Sequence, residues 1–462
     1  MTTFHKALTD VTFYPLWLDN TAAPDTCAHL VGRTETDLLI VGGGFTGLWA
    51  AIIAKQRDPA RNVTLIEAGK VAHGASGRPG GIVSTSVIHG LGNAKRVFPA
   101  DMDVLERLGI ENLDGWRDTI TQFGIDADLE WTGEMTVAVN RAHLDDLHRE
   151  FALHQQHGHD AVLLDRAQTQ AELASPLFEG AIWSRQRTGT VHPAKLAWGL
   201  KAIALTLGVR VHEHTPMLDV SDQGHQLRIT THDGRIDARR VLFATNAWGA
   251  GHRHIKRYVV AMRDRVLATE PLTAEQMDRI GWTNRQGVYD TRKQLNYMRL
   301  TRDNRIVYGG RIGYYFNDAT DPAGDRQLQV YDRLAGYFHD TFPQLDDVKF
   351  SHAWSGPIDL TTRMAVHLQP YYGGKGVYAG GYSGFGVTAS RFGARLALER
   401  LDDTGSPDLD LALASSLPGR IPPEPFRWMG AALTMRALDH VDTKGGWRKA
   451  WIRLVHRLGF PL

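Results

Sequence analysis

The chain has 462 residues, enough for the buried cores of about two or three domains, and its 43% hydrophobic and 22% charged residues are typical of globular proteins. A net charge of +1 supplies no field that would favour nucleic acid or a membrane surface. The single cysteine, Cys27, excludes an internal disulfide and a cysteine metal cluster.

The sequence predicts a cytoplasmic protein. One cysteine is consistent with a reducing compartment. No apolar run reaches the length of a membrane span, and the first twenty residues lack the basic start and apolar core of a secretory signal.

The first regular elements are predicted to follow an irregular lead-in, residues 1–33. The apolar run Asp37–Val41 predicts a buried parallel strand, Gly47–Gln56 a helix, and Asn62–Glu67 a second strand. Together they form a strand–helix–strand unit of about thirty residues.

The rest of the chain alternates between helical and strand patterns. A glycine-rich stretch at 73–81 precedes a helix-rich region at 103–160. Later features are a helix at 193–207, a strand at 209–214, a hairpin turning at Asp233-Gly234, an antiparallel pattern over 256–350, and a strand, glycine turn and helix over 376–401. The proline-rich segment 418–426 predicts a linker into a C-terminal tail.

The glycines after the first strand predict a dinucleotide site. Gly42 permits the tight turn, Gly44 lets a pyrophosphate approach the backbone, and Gly47 lets the helix pack close to the strand. Glu67 ends the second strand, where a carboxylate can accept hydrogen bonds from a ribose diol. The motif is shared by FAD and NAD sites, so it leaves the choice of cofactor open.

Four blocks in chain order resemble the D-amino-acid oxidase (DAO) superfamily of FAD-dependent amine and amino-acid oxidoreductases. They are "IVGGGFTGLWAA", "GASGRPGG", "LFATNAWG" and "YAGGYSGFGVTAS", and the resemblance extends over about residues 35 to 415. Within the superfamily the chain looks most like the gamma-glutamylputrescine-oxidase-like branch, and it also resembles a phosphonate-associated branch.

The resemblance implies an α/β fold with two domains. A Rossmann-like FAD-binding domain of the glutathione-reductase type would consist of residues 34–100, 161–255 and 351–415. A substrate domain built on an antiparallel sheet would consist of 101–160 and 256–350. The C-terminal helical tail would be 416–462.

The resemblance also implies non-covalent FAD, since Cys27 precedes the fold and His73 is not where a tethering histidine is expected. Pro79 replaces an asparagine common in relatives and removes an amide donor. The residues expected at FAD are Gly42, Gly44, Phe45, Thr46, Gly47, Glu67, Ala68, Ser76, Gly77, Arg78, Gly80, Gly81, Met217, Thr245, Asn246, Gly384, Phe385, Gly386 and Val387.

The last helix is expected to direct its N-terminus at the flavin, where amide dipoles favour the negative charge that grows on reduction. Phe385 stands where many relatives have histidine, so no polar contact is expected from its side chain.

Substrate contacts are predicted on the strands that follow residue 285. An anionic amine would need an arginine, and strand alternation places Tyr297 and Arg299 on one face, with Arg311 further along. A solvated strand edge explains any one arginine equally well. Trp354 matches a family element near the flavin, and Tyr382 either closes the pocket or packs in the core.

No metal is expected, although His212 and His214 share one strand face. The electron acceptor stays open. Oxidases of the sarcosine-oxidase type have a lysine on the strand corresponding to about 305–311, where this chain has none, so Arg311 or the substrate ammonium would have to replace it.

The tail "GGWRKAWIRLVHRLGFPL" predicts a basic amphipathic helix that docks on the protein's own body or on a partner, with an anionic membrane surface as the less favoured alternative. We therefore expect an FAD-dependent oxidoreductase for a small amine or amino acid, with oxygen as acceptor. The alternatives are a dehydrogenase that reduces a quinone or protein, and a flavin-binding subunit of a complex. The oligomeric state stays open.

Overall fold

The structure is a computed structural model that describes residues 6–252, 255–320, 324, 326, 328–441 and 444–460. Residues 1–5 of the predicted lead-in and four residues of the predicted tail lie outside this part. The helices are α1 (Leu16–Asp19), α2 (Phe45–Arg57), α3 (Leu91–Val97), α4 (Met102–Gln122), α5 (Leu144–Gln156), α6 (Arg166–Glu172), α7 (Pro193–Thr206), α8 (Ala274–Ile280), α9 (Leu328–Thr341), α10 (Gly386–Leu401), α11 (Ala412–Ser415), α12 (Phe426–Leu438) and α13 (Trp447–Arg457).

The strands form two large sheets and one small pair. They are β1 (Gly32–Val41), β2 (Val63–Ile66), β3 (Ile82–Val83), β4 (Glu134–Ala138), β5 (Ala161–Leu164), β6 (Gly180–Ser184), β7 (Gly189–Thr190), β8 (Arg210–His212), β9 (Asp219–Asp222), β10 (Leu227–Thr230), β11 (Gly234–Phe243), β12 (Val260–Thr269), β13 (Gly287–Asp290), β14 (Asn296–Leu300), β15 (Ile306–Tyr314), β16 (Phe350–Leu360), β17 (His367–Tyr371) and β18 (Gly376–Gly380). A mixed α/β fold is therefore confirmed.

The first sheet carries the predicted strand–helix–strand unit. Its order is β17-β18-β11-β1-β2-β8, with β9 and β10 attached to β11. Strands β18, β11, β1, β2 and β8 run parallel, and every residue of β2 is buried. Helices α2, α7 and α10 bury their apolar sides in the largest core cluster. The carboxyl ends of β1, β2 and β11 and the N-termini of α2 and α10 lie at the same edge of this sheet.

The second sheet has the order β16-β12-β15-β14-β13-β4-β6-β5. Neighbouring strands in it are antiparallel except for β13 and β4. Its apolar face packs with α9 in a second core cluster that contains Tyr308, Phe338 and Phe350. The antiparallel pattern predicted for residues 256–350 matches the central strands.

Three strands and one helix belong to a different part of the fold from the one that the predicted domain boundaries gave them. Strands β5 and β6, expected in the FAD-binding part, extend the second sheet, and β16 forms its other edge. Conversely, α4, expected in the substrate part, buries Leu105, Leu113 and Trp116 in the core of the first sheet. Sequence order alone does not assign these elements, because each side chain pattern is compatible with either core.

The C-terminal tail lies on the second sheet. Helices α12 and α13 share a small core, and Ile421, Met435 and Phe460 join an apolar cluster with Val260 and Met262 of β12. Docking on the protein's own body is thus observed for the described part of the tail. Among the described residues, no helix is long and apolar enough to cross a membrane.

A buried ion pair joins the lead-in to the first sheet. The Lys201 ammonium lies 2.7 Å from Glu213 Oε2, and the side chains are 4% and 2% exposed. Glu213 also accepts hydrogen bonds from the backbone amides of Cys27 and Val71, and Lys201 donates to the Asp25 carbonyl. Burial raises the pKa of Glu213, but these partners outweigh it and lower the pKa overall. Because β8 ends at His212 and His214 has φ +50°, the two histidines do not share a strand face, contrary to the prediction from the sequence.

Removing this carboxylate is predicted to destabilise the protein strongly. Glu213→Gln leaves the Lys201 charge buried without its counter-ion, which should lower the free energy of unfolding by about 3 kcal/mol or more. Urea unfolding of the FAD-loaded protein measures the change. The control is Glu35→Gln, because its Arg33 pair is exposed and should contribute less than about 1 kcal/mol. Equal effects of the two substitutions would contradict this account of the anchor.

Candidate active site

A first cavity of about 610 Å³ opens at the edge of the first sheet where β1, β2 and β11 end. That edge is where α/β proteins bind ligands, and the volume falls in the range of small-molecule sites. The predicted cofactor residues that line it are Gly42, Gly44, Phe45, Thr46, Glu67, Ala68, Ser76, Met217, Thr245, Asn246, Gly384, Gly386 and Val387.

Two glycines bring the strand and helix together at this cavity. A Cβ on Gly47 would lie 1.9 Å from the Gly42 carbonyl oxygen, and one on Gly42 would lie 2.5 Å from the Ala244 carbonyl oxygen. Gly42 also has φ +114°, in the region that favours glycine. Gly47 lines neither cavity, so its contribution is the close packing that holds the N-terminus of α2 against the site.

Side chains around the first cavity bind the glycine turn. Glu67 Oε2 accepts from the Gly43 amide at 2.7 Å, and Glu67 Oε1 accepts from the Gly69 amide at 2.8 Å. Burial raises the pKa of Glu67, while these amides lower it. Ser76 Oγ accepts from the Phe45 amide at 2.8 Å and thereby joins the second glycine loop to the start of α2.

The start of α10 forms the opposite side of the first cavity. Tyr382 lines this cavity, and its hydroxyl accepts a hydrogen bond from Thr46 Oγ1 at 2.9 Å. The N-terminal residues Gly386 and Val387 face the same space, so two helix N-termini open on one cavity. Both attract negative charge.

These residues fit FAD. The turn of Gly42 and Gly44 admits a pyrophosphate close to backbone amides, and Glu67 stands where a ribose would be. Ser390 Oγ lines the cavity, is buried, and has no hydrogen-bond partner among the described residues, which leaves a polar group for a ligand.

A second cavity of about 670 Å³ adjoins the first. Ala75, Pro79, Ile358, Gly384 and Val387 line both, so the cavities meet between the second glycine loop, β16 and the start of α10. The predicted residues Arg78, Gly80, Gly81 and Phe385 line this second cavity, and Gly77 lines neither. The second glycine loop and the glycine turn before α10 thus flank the junction of the two cavities.

An acidic group faces the second cavity beside three aromatic rings, which we call the aromatic wall (Tyr289, Tyr297 and Phe385). Tyr297 Oη donates to Asp264 Oδ2 at 2.6 Å. The ring centroid of Tyr289 lies 6.3 Å from that of Tyr297 and 6.1 Å from that of Phe385. Burial raises the pKa of Asp264 to about 6, against the Tyr297 hydrogen bond and the charge of Arg265, which lower it.

A β-bulge next to Asp264 positions Arg311. Arg263 pairs with Gly313 and Arg265 with Gly310, so Asp264 faces two residues of β15. Arg311 has φ +61° and lines the cavity, and its guanidinium donates to Asp439 Oδ1 at 2.7 Å and to Tyr337 Oη at 3.2 Å. The predicted substrate arginine therefore reaches the cavity while its charge is paired with the tail.

Two predicted substrate residues, Arg299 and Trp354, face the second glycine loop and line neither cavity. Arg299 is 2% exposed and donates to the Val191 carbonyl at 2.7 Å, and Val191 in turn binds the Gly81 carbonyl. Trp354 Nε1 donates to the Arg78 carbonyl at 2.9 Å. These bonds use the polar groups of both side chains on the backbone beneath the loop. They correct the expectation that Arg299 contacts substrate, while the expected place of Trp354 near the flavin stays a prediction.

Trp17 of the lead-in completes this support. Its Nε1 donates to the Pro79 carbonyl at 2.8 Å, and its ring lies against the Arg299 guanidinium at 5.4 Å. Alternation on β14 correctly predicts that Tyr297 and Arg299 share a face, since both contact the loop at Gly80 and Gly81. Of the predicted substrate residues, Tyr297 and Arg311 line the second cavity, and Tyr382 lines the first.

Sequence reasoning missed Asp264, Tyr289 and the whole tail side of the second cavity. Asp264 lies between Arg263 and Arg265 in β12, and Tyr289 is one tyrosine of a short strand, so neither belongs to a motif. The available signal for Asp264 is a run of three charged residues, 263–265, in a strand whose other residues are nearly all apolar and buried.

Comparison with known proteins identifies relatives of this chain in sequence and in fold. The chain is 31% identical over 410 residues to the gamma-glutamylputrescine oxidoreductase of Escherichia coli K12, covering 86% of this chain and 91% of that protein. It is 28% identical over 378 residues to the probable oxidoreductase OrdL of Haemophilus influenzae, covering 79% and 83%. Glycine oxidase from Geobacillus kaustophilus superposes with a TM-score of 0.66 at 20% identity, covering 80% and 95% of the two chains.

The fold and the first cavity define a dinucleotide-binding oxidoreductase. The family described as DAO, FAD dependent oxidoreductase, matches residues 37–400, and the chain belongs to this family. Its cofactor is FAD, while non-covalent attachment stays a prediction.

Loss of the close helix packing is predicted to weaken FAD binding. Gly47→Ala places a methyl group 1.9 Å from the Gly42 oxygen, so α2 must move away from the turn. Overpacking costs about 1–3 kcal/mol, which predicts at least about fivefold weaker FAD binding, measured from the bound flavin spectrum during dialysis. The matched control is Gly336→Ala in α9, where a Cβ meets no atom within 4 Å. Unchanged FAD affinity in Gly47→Ala would contradict the assigned packing.

Proposed function

We propose that the protein oxidises the C–N bond of a small amine or amino acid, with substrate in the second cavity and oxygen as electron acceptor. The observation that carries this proposal is the Asp264 carboxylate in the aromatic wall of a cavity that adjoins the FAD cavity. A cytoplasmic location remains a prediction of the sequence.

The chemistry of the aromatic wall suits an amine. A carboxylate attracts an ammonium group, and tyrosine and phenylalanine rings attract a cation within about 6 Å of their centroids. His89 packs against Phe385 with centroids 4.0 Å apart, and burial lowers its pKa to about 4. His89 is therefore uncharged near neutral pH and leaves the negative charge of Asp264 uncompensated from that side.

The reaction balances with oxygen as the co-reactant. Bound FAD supplies the acceptor for the hydride that leaves the α-carbon of the amine. The amine nitrogen loses one proton, and the resulting imine takes up one water to give a carbonyl product and ammonia or a smaller amine. Oxygen then takes two electrons and two protons and becomes hydrogen peroxide.

The chain's own residues would bind, orient and deprotonate the substrate. Asp264 accepts a hydrogen bond from the substrate nitrogen and receives the proton that the ammonium must lose before oxidation. The aromatic wall excludes water from one side of the substrate. The positive end of the α10 helix dipole lies beside the junction of the two cavities. No further acid–base residue is needed for this chemistry.

The choice of acceptor and the choice of amine are both part of the proposal. Arg311 lines the second cavity and is the cation of β15 that would promote the reaction of the reduced flavin with oxygen. Its guanidinium is also paired with the Asp439 carboxylate. The E. coli relative is named for gamma-glutamylputrescine, and the sequence resemblance adds aminophosphonates, so both belong in the first substrate panel.

Anaerobic titration of the yellow protein tests the proposal. The panel contains gamma-glutamylputrescine, D- and L-amino acids, sarcosine, 2-aminoethylphosphonate with its N-methyl form, and simple alkylamines. Bleaching of the flavin by at least one amine is expected, and its return when air is admitted supports oxygen as acceptor. Bleaching that persists in air and is reversed by a quinone would support the dehydrogenase alternative. A flavin that no amine bleaches would favour the binding-subunit alternative.

The Asp264 side chain is predicted to be essential for amine turnover. Asp264→Asn keeps its size and removes the charge that pairs with the ammonium, a change expected to cost about 2 kcal/mol or more. The corresponding fall in kcat/KM is at least about 30-fold. Asp278→Asn serves as the control because this residue of α8 is exposed and far from either cavity lining. A decrease below threefold in Asp264→Asn would contradict the assigned role.

The pH profile is predicted to report the same carboxyl. Since the pKa of Asp264 is raised to about 6, the carboxylate is lost as pH falls through 6, and kcat/KM should drop about tenfold for each further pH unit. Asp264→Asn should lose this acidic limb. Burial raises the pKa of Glu134 near Tyr289 to about 7, so Glu134→Gln is the matched control and should retain the limb. A limb that disappears with Glu134 instead would contradict the assignment.

A further inference from the structure

The described tail residues of α12 and α13 form one side of the second cavity, although they lie outside the matched family region, which ends at residue 400. The tail contributes mainly apolar groups to this lining: Ala431, Met435, Leu438, Trp451, Val455 and Phe460. The substrate space of this chain is therefore bounded by a segment that the family domain does not include.

The side of the cavity that faces the tail is also apolar. Val260, Met262, Ile312, Ile358 and Leu360 line it from β12, β15 and β16. Several of these residues join Ile421, Met435 and Phe460 in one hydrophobic cluster. Away from Asp264, the lining is therefore mainly hydrocarbon on both the sheet side and the tail side. Its polar members there include Thr434 and His456 of the tail, and Lys293 lines it from the segment before β14.

The arginines of this cavity are bound to protein acceptors. Arg78 donates to the His73 and Ser355 carbonyls, Arg96 to Asn93 Oδ1, and Arg311 to Asp439. Arg427 donates to Asp318 and to the Lys256 and Pro422 carbonyls. A carboxylate or phosphonate on the substrate would have to compete with these partners.

Charged contacts fix the tail in place. Asp439, just beyond α12, binds Arg311 at 2.7 Å and Arg333 at 2.7 Å, and Arg427 at the start of α12 pairs with Asp318. The cavity arginines thus hold the tail over the sheet. Phe426 and Leu458 both line the cavity and are 67% and 66% exposed, so apolar groups also surround its entrance.

We infer that the substrate is an amine with an apolar body, whose nitrogen binds at Asp264 and whose hydrocarbon part lies between the second sheet and the tail. This inference rests on the proposed amine oxidation and specifies its substrate class. It assigns the tail a role in substrate selection, with Ala431 and Gly430 of α12 as residues that limit the length of the hydrocarbon part.

A matched pair of amines tests the substrate class with the intact FAD-loaded protein. Hexylamine and 6-aminohexanoate have the same length and differ by a terminal carboxylate. The kcat/KM for hexylamine should be at least about tenfold higher, because an unpaired carboxylate loses free energy in an apolar site. From propylamine to hexylamine, kcat/KM should rise about threefold to fourfold for each methylene.

A matched pair of variants tests the tail. Ala431 lines the cavity, whereas its neighbour Ala432 is exposed and lies outside the lining. Ala431→Phe should lower the ratio of kcat/KM for hexylamine to that for propylamine at least about tenfold, and Ala432→Phe should leave the ratio unchanged. Gly430→Leu is a second variant, because a Cβ there meets no atom within 4 Å. The bound flavin spectrum reports folding of each variant.

The outcomes separate this inference from the proposed function. If 6-aminohexanoate or gamma-glutamylputrescine is preferred and Lys293→Met removes that preference, the cavity recognises an anion and the inference is wrong, while amine oxidation stands. If Ala431→Phe and Gly430→Leu both keep the wild-type ratio, the tail does not select substrate. If no amine reduces the flavin, both proposals fail.

Discussion

The site depends on the contact between the end of β1 and the start of α2. Gly42 and Gly47 allow the backbones to approach so closely that a single methyl group on Gly47 would overlap the Gly42 oxygen. That approach places the N-terminus of α2 beside the carboxyl ends of β1, β2 and β11, where the FAD cavity opens. The packing of α2 against the turn and the position of the cofactor cavity therefore depend on one steric constraint.

A second set of contacts fixes the second glycine loop, which lies between the two cavities. The side chains of Trp17, Trp354 and Arg299 lie beneath the second glycine loop and donate to the Pro79, Arg78 and Val191 carbonyls. These buried donors hold the loop so that Pro79 borders both cavities. Residues from the lead-in and from two strands of the second sheet are thus used to position one short loop, which links the fold to the chemistry proposed at the junction.

The sequence predicts the parts of this site that depend on local pattern. The glycine turn and Glu67 follow from residue spacing in one strand–helix–strand unit, the start of α10 is expected at the cofactor from the family resemblance, and all three line the first cavity. The partner of Arg311 is Asp439, 128 residues later, and the acceptor of Arg299 is a carbonyl 108 residues earlier. Alternation gives the face of a strand, but the partner across that face depends on tertiary packing, as does the tail's position over the second cavity.

The most direct measurement is a crystal structure of the FAD-loaded protein with a bound amine that cannot be oxidised. The account predicts the flavin ring at the junction of the cavities, beside Pro79, Ile358 and Gly384, with the amine nitrogen at Asp264 against the aromatic wall. A flavin ring elsewhere, or an amine nitrogen bound away from Asp264, would contradict it.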